Sequence, residues 1–146
     1  MKPETRFRNA LRNQFKQYFE VMQIESGDTS PGVPDTHLLL KHTNLTCWFE
    51  LKHELELPKR IELEKTQYVW LRRYHRNDGK CFVVLKVEDL SEIYVWEGCH
   101  AKELYDGKDI YNIPHVVFNT RRYGWHNFVD YMQKQIVLNS RTRGAA

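Results

Sequence analysis

The chain has 146 residues, of which 41% are hydrophobic, enough for one domain with a buried core but short for two. It has no apolar run of about 18 residues, which excludes a membrane-spanning helix, and no C-x-x-C pair, which argues against an ordinary zinc site. The net charge of +3 indicates by itself no more than a solvated surface.

The N-terminal segment is charged and has no apolar region of the secretory type. The three cysteines, Cys47, Cys81 and Cys99, are widely spaced and odd in number, so we expect reduced thiols. These features predict a cytoplasmic protein, in the host cytoplasm if it is viral, with no membrane partner.

The apolar spacing predicts a first helix over 5–24, because apolar residues recur there at steps of three and four. Those residues are Phe7, Leu11, Phe15, Tyr18, Phe19 and Met22. A loop rich in Gly and Pro follows at 26–34, and the short apolar runs 37–41 and 47–51 predict a hairpin.

Further along, residues 65–76 predict a second helix, and Asn77-Asp78-Gly79 marks its end. The segments 81–87 and 93–96 predict buried strands, with a short helix near 100–105. The resulting order α, β, β, α, β, β predicts an α/β fold with a central mixed sheet flanked by helices. No boundary divides the chain, so we expect one domain over 1–146.

The last segment, 125–139, carries its apolar residues on one helical stripe. This stripe either packs on the core or pairs with a second copy of the chain. Basic residues concentrate at 2–16, 59–76 and 121–143, with acidic segments between them. A basic surface beside an acidic pocket suits a polyanion held next to a metal. The candidate DNA contacts are Ser30, Arg72, Arg73, Arg76, Arg121 and Arg122, although turn chemistry and solvated helix faces account for them equally.

Three residues form the sharpest chemical pattern. Glu50 and Lys52 are two apart on a predicted strand and so share a face, and Asp35 precedes the neighbouring strand of the hairpin. Two adjacent carboxylates repel each other, and a divalent cation such as Mg²⁺ removes that repulsion. Such a metal polarises a phosphate and activates water, while Lys52 stabilises the developing charge or orients or deprotonates the water.

Other groups extend this pattern. The backbone carbonyl of Leu51 is a candidate metal ligand, with Asp35 and Glu50. His37 either approaches the metal or is a polar residue at a strand end. Mn²⁺ is expected to substitute for Mg²⁺, because both accept hard oxygen ligands.

The motifs Gly32-Val33-Pro34-Asp35, Trp48-Phe49-Glu50-Leu51-Lys52 and Gln67-x-x-Trp70-Leu71, with Ser26-Gly27 before them, resemble the PD-(D/E)xK nuclease superfamily. Within it they are most similar to the VRR-NUC group, with archaeal-type Holliday junction resolvases as more distant relatives. The resemblance spans about 4–96, which leaves 97–146 as an extension for dimerisation or DNA contact. It implies a restriction-endonuclease-like core.

The resemblance also implies that Asp35 and Glu50 bind the metal, that Lys52 is the catalytic lysine and that Gln67 supports the catalytic core. An acidic residue of the first helix should join the metal, and Glu4 has the best position. Glu20 and Glu25 are the alternatives.

These features predict a Mg²⁺-dependent endodeoxyribonuclease of phage type, a homodimer that resolves Holliday junctions in recombination and repair. A nuclease for flaps, nicks or other branched DNA would have the same three residues. A DNA-binding module with a degenerate site, or a subunit that binds a protein partner, is the alternative outside the enzyme class.

Overall fold

A computed structural model describes residues 1–24 and 31–145, and the side chains up to residue 138. Three sequence-predicted features lie outside the described residues: the DNA contact at Ser30, the Ser26-Gly27 part of the motif and the alternative ligand Glu25.

Helices and strands are interspersed along the chain. The strands are β1 (Phe19–Gln23), β2 (Thr36–Leu40), β3 (Thr46–Glu54), β4 (Cys81–Val87), β5 (Glu92–Glu97) and β6 (Val116–Asn119). The helices are α1 (Pro3–Phe15), α2 (Lys65–Arg76), α3 (Ala101–Tyr105), α4 (Thr120–Tyr123) and α5 (His126–Ala145), with single 3₁₀ turns at Gly98–His100 and Ile110–Asn112. Within the described part of the chain, no helix is long and apolar enough to cross a membrane.

The strands form one sheet in the order β1-β2-β3-β4-β5-β6. All neighbours are antiparallel except β3 and β4, which are parallel. A parallel pair needs a crossover connection, and α2 provides it. The predicted mixed sheet with flanking helices is therefore confirmed, as are the hairpin of β2 and β3, the second helix and the short helix near 100–105.

Each face of the sheet has its own apolar cluster. One face packs against α1 and α5, where Phe15, Phe49 and Phe128 are fully buried. The other face packs against α2 and α3, where Leu71, Leu85 and Leu104 are fully buried. Alternate residues of β3 and β4 contribute to opposite clusters, as strand geometry requires. This alternation decides which side chains face α2.

The prediction of one helix over 5–24 is wrong after Phe15. The chain turns there and continues as β1, whose residues pair with β2. Phe19 is buried, but Tyr18 and Met22, predicted to face inward, are exposed. The apolar spacing at three and four residues continues by coincidence into β1. Pairing with β2 satisfies the strand's backbone groups, so tertiary contact overrides the local pattern.

The segment after residue 96 completes the core. β6, which the sequence pattern did not predict, adds the last strand to the sheet beside β5. The apolar stripe of the last helix packs on the α1 face, where Phe128, Met132 and Ile136 are buried. Of the two alternatives for this stripe, packing on the core is the one observed. Residues 97–145 therefore contribute a strand to the sheet and a helix to the core on the α1 face.

Gly32 joins the loop before β2 to the first turn of α2. Its φ is +88°, and an added Cβ would overlap the carbonyl oxygen of Thr66 and lie 3.2 Å from the backbone nitrogen of Gln67. Glycine is required there both for the conformation and for the close approach. The contact positions the Pro34-Asp35 segment beside the start of α2.

We predict that Gly32→Ala destabilises the fold by about 3 kcal/mol, because conformational strain and steric overlap add. Gly124→Ala is the matched control, since Gly124 has φ +67° but open space around its Cβ position. The control should lose only the conformational strain, about 1–3 kcal/mol for its φ of +67° and ψ of −165°. Urea denaturation measures both, and equal losses would show that the contact with Thr66 is unimportant.

Candidate active site

The structure brings Asp35 and Glu50 together at the junction of β2 and β3. Thr36 pairs with Phe49 in the antiparallel register, so Asp35 stands opposite Glu50 just beyond the last paired residues. Glu50 pairs with Val83 and Lys52 with Leu85, both of which belong to the α2 cluster. Glu50 and Lys52 therefore lie on the α2 face of the sheet, as their spacing predicts.

Backbone and hydroxyl groups orient the Asp35 carboxylate. Its two oxygens each lie 3.3 Å from the backbone nitrogen of Leu51, which donates to them, and the Thr36 hydroxyl donates to Oδ1 at 2.9 Å. In a continued ladder Pro34 would stand opposite Leu51, but proline has no N–H. The side chain of Asp35 therefore accepts the hydrogen bond that the Leu51 N–H would otherwise donate to the β2 backbone. The carbonyl of Leu51 receives no hydrogen bond from Pro34, because proline has no N–H.

Burial makes the two carboxyl groups hard to ionise together. Glu50 is only 6% exposed. Burial, and then the neighbouring charge of Asp35, raise the pKa of Glu50 to about 8, and burial also raises the pKa of Asp35. A proton or a cation is needed between two such groups. The arrangement therefore favours a shared proton or a bound cation over two free carboxylates.

A cavity of about 750 Å³ opens next to this pair, and Lys52 and Gln67 both line it. Arg60 and Tyr105 are also among its lining residues. The Gln67 side chain accepts a hydrogen bond from the backbone N–H of Glu64 at 2.9 Å and so caps α2. This bond fixes the first turn of α2 against the cavity, which is large enough for a nucleotide-sized group.

Sequence reasoning missed Arg8, whose charge acts on both carboxyl groups. The charge of Arg8 favours ionisation of Asp35 and of Glu50, although burial outweighs it in their pKa values. Gln23 holds this turn of α1, since its Nε2 donates to the Arg8 carbonyl at 3.1 Å and Gln23 pairs with Thr36. One feature of the sequence could have indicated Arg8. It directly follows Phe7, so it lies at the border of the buried apolar stripe of α1.

The two carboxylates fit a divalent cation of the Mg²⁺ type. They are hard oxygen donors, they adjoin, and Mg²⁺ is commonly held by one or two carboxylates together with water. Within residues 1–24 and 31–145, no third His, Cys, Asp or Glu joins them in a cluster suited to metal. Glu4 is exposed in the first turn of α1. Its place as a ligand stays a prediction, as does that of the Leu51 carbonyl.

The predicted DNA-contacting arginines occupy two separate regions. Arg72, Arg73 and Arg76 are exposed on the later turns of α2. Arg76 is nine residues beyond Gln67, about 13 Å further along the helix. Arg121 and Arg122 are exposed on α4. The structure does not gather these five side chains into one group, and their role in binding stays a prediction.

His37 packs against the side chain of Trp48, with ring centroids 4.6 Å apart. Burial lowers the pKa of His37 and favours its neutral form. Trp48 in turn contacts Trp70 of α2 edge-to-face, at 5.7 Å. His37 is therefore part of the packing that holds α2 over β3.

The fold and site define an α/β protein with a mixed sheet flanked by helices and a buried carboxylate pair beside a lysine. This fold is similar to that of Hjc, a Holliday junction resolvase from the archaeal hyperthermophile Archaeoglobus fulgidus, solved at 1.6 Å. The TM-score is 0.50 and the identity 23%, over 64% of this chain and 76% of that chain. The expected α/β fold, a central mixed sheet flanked by helices, is thus confirmed, and it is similar to the fold of this resolvase.

No protein-family model matches the sequence, and a comparison with curated proteins finds no match. Membership of the VRR-NUC group and a phage origin therefore stay predictions.

Without metal, we predict that Glu50→Gln stabilises the fold at pH 8. Glu50 keeps its proton up to about pH 8 when folded but releases it near pH 4.5 when unfolded, so stability falls as pH rises between these values. Glutamine removes this loss, so the variant should melt about 3–8 °C higher at pH 8 in EDTA and about equally near pH 4.5. Glu54→Gln, on the same strand but exposed, is the control. A lower melting temperature at pH 8 would contradict the prediction.

Proposed function

We propose that this protein is a metal-dependent endonuclease that hydrolyses phosphodiester bonds in branched DNA, with the four-way Holliday junction as its preferred substrate. The observation that carries the proposal is the contact between the buried carboxyls of Asp35 and Glu50, with Lys52 on the same face. Burying two carboxylates without a partner is costly, so the pair is explained by a bound cation. A fold similar to that of Hjc supports the same proposal.

Asp35 and Glu50 would hold Mg²⁺ or Mn²⁺, with the Leu51 carbonyl and Glu4 as further candidate ligands. When bound, the metal supplies Lewis-acid polarisation of the phosphate and lowers the pKa of a bound water. In hydrolysis the water oxygen bonds to phosphorus, the bond to the leaving oxygen breaks, and that oxygen takes up a proton. The residues of the chain must therefore position one water and stabilise negative charge on the phosphate.

Lys52 is suited to the second task. Its ammonium group lies on the face of Glu50 and lines the adjoining cavity, where it can stabilise the phosphate oxygens or orient the attacking water. Gln67 holds the wall of that cavity by capping α2, which makes it a positioning residue. Arg8 adds a second cation from the α1 side of the carboxylate pair.

The substrate class rests on the comparison. The similar structure is that of a Holliday junction resolvase, and a junction with two-fold symmetry presents two equivalent phosphates. A two-fold homodimer would present two equivalent sites to them. Because the apolar stripe of α5 is largely buried in the core, the dimer contact must lie elsewhere on the surface.

The cleavage experiment uses labelled four-way junction, duplex and single-stranded DNA with Mg²⁺, Mn²⁺ or EDTA. We expect paired cuts in the junction that need metal, and a fall in kcat of about 100- to 1000-fold or more for Asp35→Asn and Lys52→Ala. Lys41→Ala is the control, because Lys41 follows the end of β2 that is away from Asp35. Metal-dependent cleavage of flaps or nicks alone would keep the site and change the substrate. A well-folded protein that cuts no nucleic acid with either metal would overturn the proposal in favour of a binding module.

Arg8→Gln should lower kcat about 10- to 100-fold, because one cation beside the reacting phosphate is lost while the metal-binding carboxylates remain. Arg12→Gln is the matched control, because Arg12 lies one turn further along α1 and donates to Gln23 at 3.1 Å. Single-turnover cleavage at saturating metal measures both variants. An equal loss in the two would assign Arg8 a role in holding α1 rather than in the site.

A further inference from the structure

A second group of cations lies at the same end of the sheet as Lys52 but on the opposite face. His53 follows Lys52 on β3 and pairs with Lys86 on β4. Successive strand residues point to opposite faces, so His53 and Lys86 face the α1 side. The Lys86 ammonium donates to the Thr120 hydroxyl of α4 at 3.2 Å. This bond ties the end of β4 to the start of α4.

Arg121 directly follows Thr120, and its positive charge acts on Lys86. Lys86 is half-buried, and burial and then the charge of Arg121 alter its pKa, which is lowered relative to an ordinary lysine although Glu88 opposes the shift. Two cations held close together repel each other unless an anion lies between them. Arg121 is exposed, so that anion can approach from solvent.

One carboxylate of the protein, that of Glu88, offsets part of this positive charge. Glu88 is the nearby acid, and its carboxylate accepts a hydrogen bond from His53 Nε2 at 3.0 Å. Arg6 of α1 also acts on Glu88. Arg6 and Lys86 both act on Glu88, and Arg121 acts on Lys86, so this one carboxylate lies in a local excess of positive charge. Among the described side chains, neither Lys86 nor Arg121 forms an ion pair with an acid.

The arrangement of α4 keeps Arg121 in this position. The backbone N–H of Thr120 donates to the Ser91 carbonyl at 2.7 Å, and the Thr120 hydroxyl donates to the same carbonyl at 2.9 Å. Asn119 caps the helix by accepting from the backbone N–H of Arg122. The guanidinium of Arg122 lies over the Tyr123 ring, 5.4 Å from its centroid. Of the two arginines, Arg121 is therefore the one that faces Lys86.

We propose that Lys86 and Arg121 bind a backbone phosphate of duplex DNA that flanks the cleaved phosphate. The proposal rests on the proposed function for the identity of the polyanion. The Cα atoms of Lys52 and His53 are about 3.8 Å apart, and their side chains leave opposite faces of the strand. A DNA backbone that crosses this end of the sheet meets Lys52 on one face and Lys86 with Arg121 on the other.

The test measures DNA affinity without cleavage. The whole chain, in EDTA, is titrated against a labelled 30-bp duplex between about 50 and 200 mM KCl, and log Kd is plotted against log salt concentration. Loss of one phosphate contact should reduce the slope by about 0.9 and weaken binding about tenfold near 100 mM salt. We expect this for Lys86→Met and for Arg121→Gln.

Lys134→Met is the matched control for lost charge, because Lys134 is exposed on α5 and pairs with Asp130 at 2.9 Å. Arg121 is exposed, so its variant should fold even if Lys86→Met does not. An unchanged slope and affinity for Arg121→Gln would overturn the proposal. If the parent chain binds duplex through Arg121 but cuts nothing, the proposed nuclease function fails and this binding site stands. If the parent chain cuts junctions but Arg121→Gln binds duplex normally, the proposed nuclease function stands and this binding site fails.

Discussion

The organisation of this protein depends on two carboxyl groups held against each other where β2 meets β3. Their burial disfavours two negative charges at once, since little solvent is available to screen them. The fold opposes this repulsion with nearby groups: the Leu51 N–H and the Thr36 hydroxyl on Asp35, Lys52 on one side and Arg8 on the other. What remains is a position that, under the proposed function, a divalent cation would fill at little further cost.

The surrounding elements act mainly to keep that position. The approach of Gly32 to the first turn of α2 brings the Pro34-Asp35 segment beside Gln67. Gln23 connects α1 to the strand next to Asp35 by bonding the Arg8 carbonyl. The two helices thus reach the carboxylates from opposite faces of the sheet. Displacement of α1 would move the charge of Arg8, and displacement of α2 would move the capping side chain of Gln67, in addition to any apolar contacts.

The cations are spread over both faces of one sheet end. Lys52 lies on the α2 face, and Lys86 with Arg121 on the other. Such a spread suits a long polyanion better than a small anion, which would need its cations gathered at one point. Under the proposed function it would also separate two tasks, because the α2 face would carry the reacting groups and the α4 face would contribute charge alone. Mutations on the α2 face would then change the cleavage rate, and mutations on the α4 face would change the affinity for DNA.

The local pattern of residues was sufficient for much of the site. The alternation Trp48-Phe49-Glu50-Leu51-Lys52 placed Glu50 and Lys52 on one face, because a strand has a period of two whatever surrounds it. The spacing of Phe7, Leu11 and Phe15 likewise predicted the first helix up to Phe15. Asp35 could be placed beside Glu50 because a hairpin brings its two arms together.

Only the tertiary structure decided where that helix ends, that Val116–Asn119 forms a sixth strand, that Arg8 acts on the carboxylate pair, and that Arg121 acts on Lys86. The strand at Phe19 exists because β2 offers backbone partners, and local spacing carries no information about such partners. Arg8 and Lys86 are ordinary surface residues in the sequence, and their importance comes from long-range packing that places charge beside charge. The periodic spacing of apolar residues is a property of a single helix or strand and can be read from the sequence. The charges around a side chain come from other elements and depend on how those elements pack.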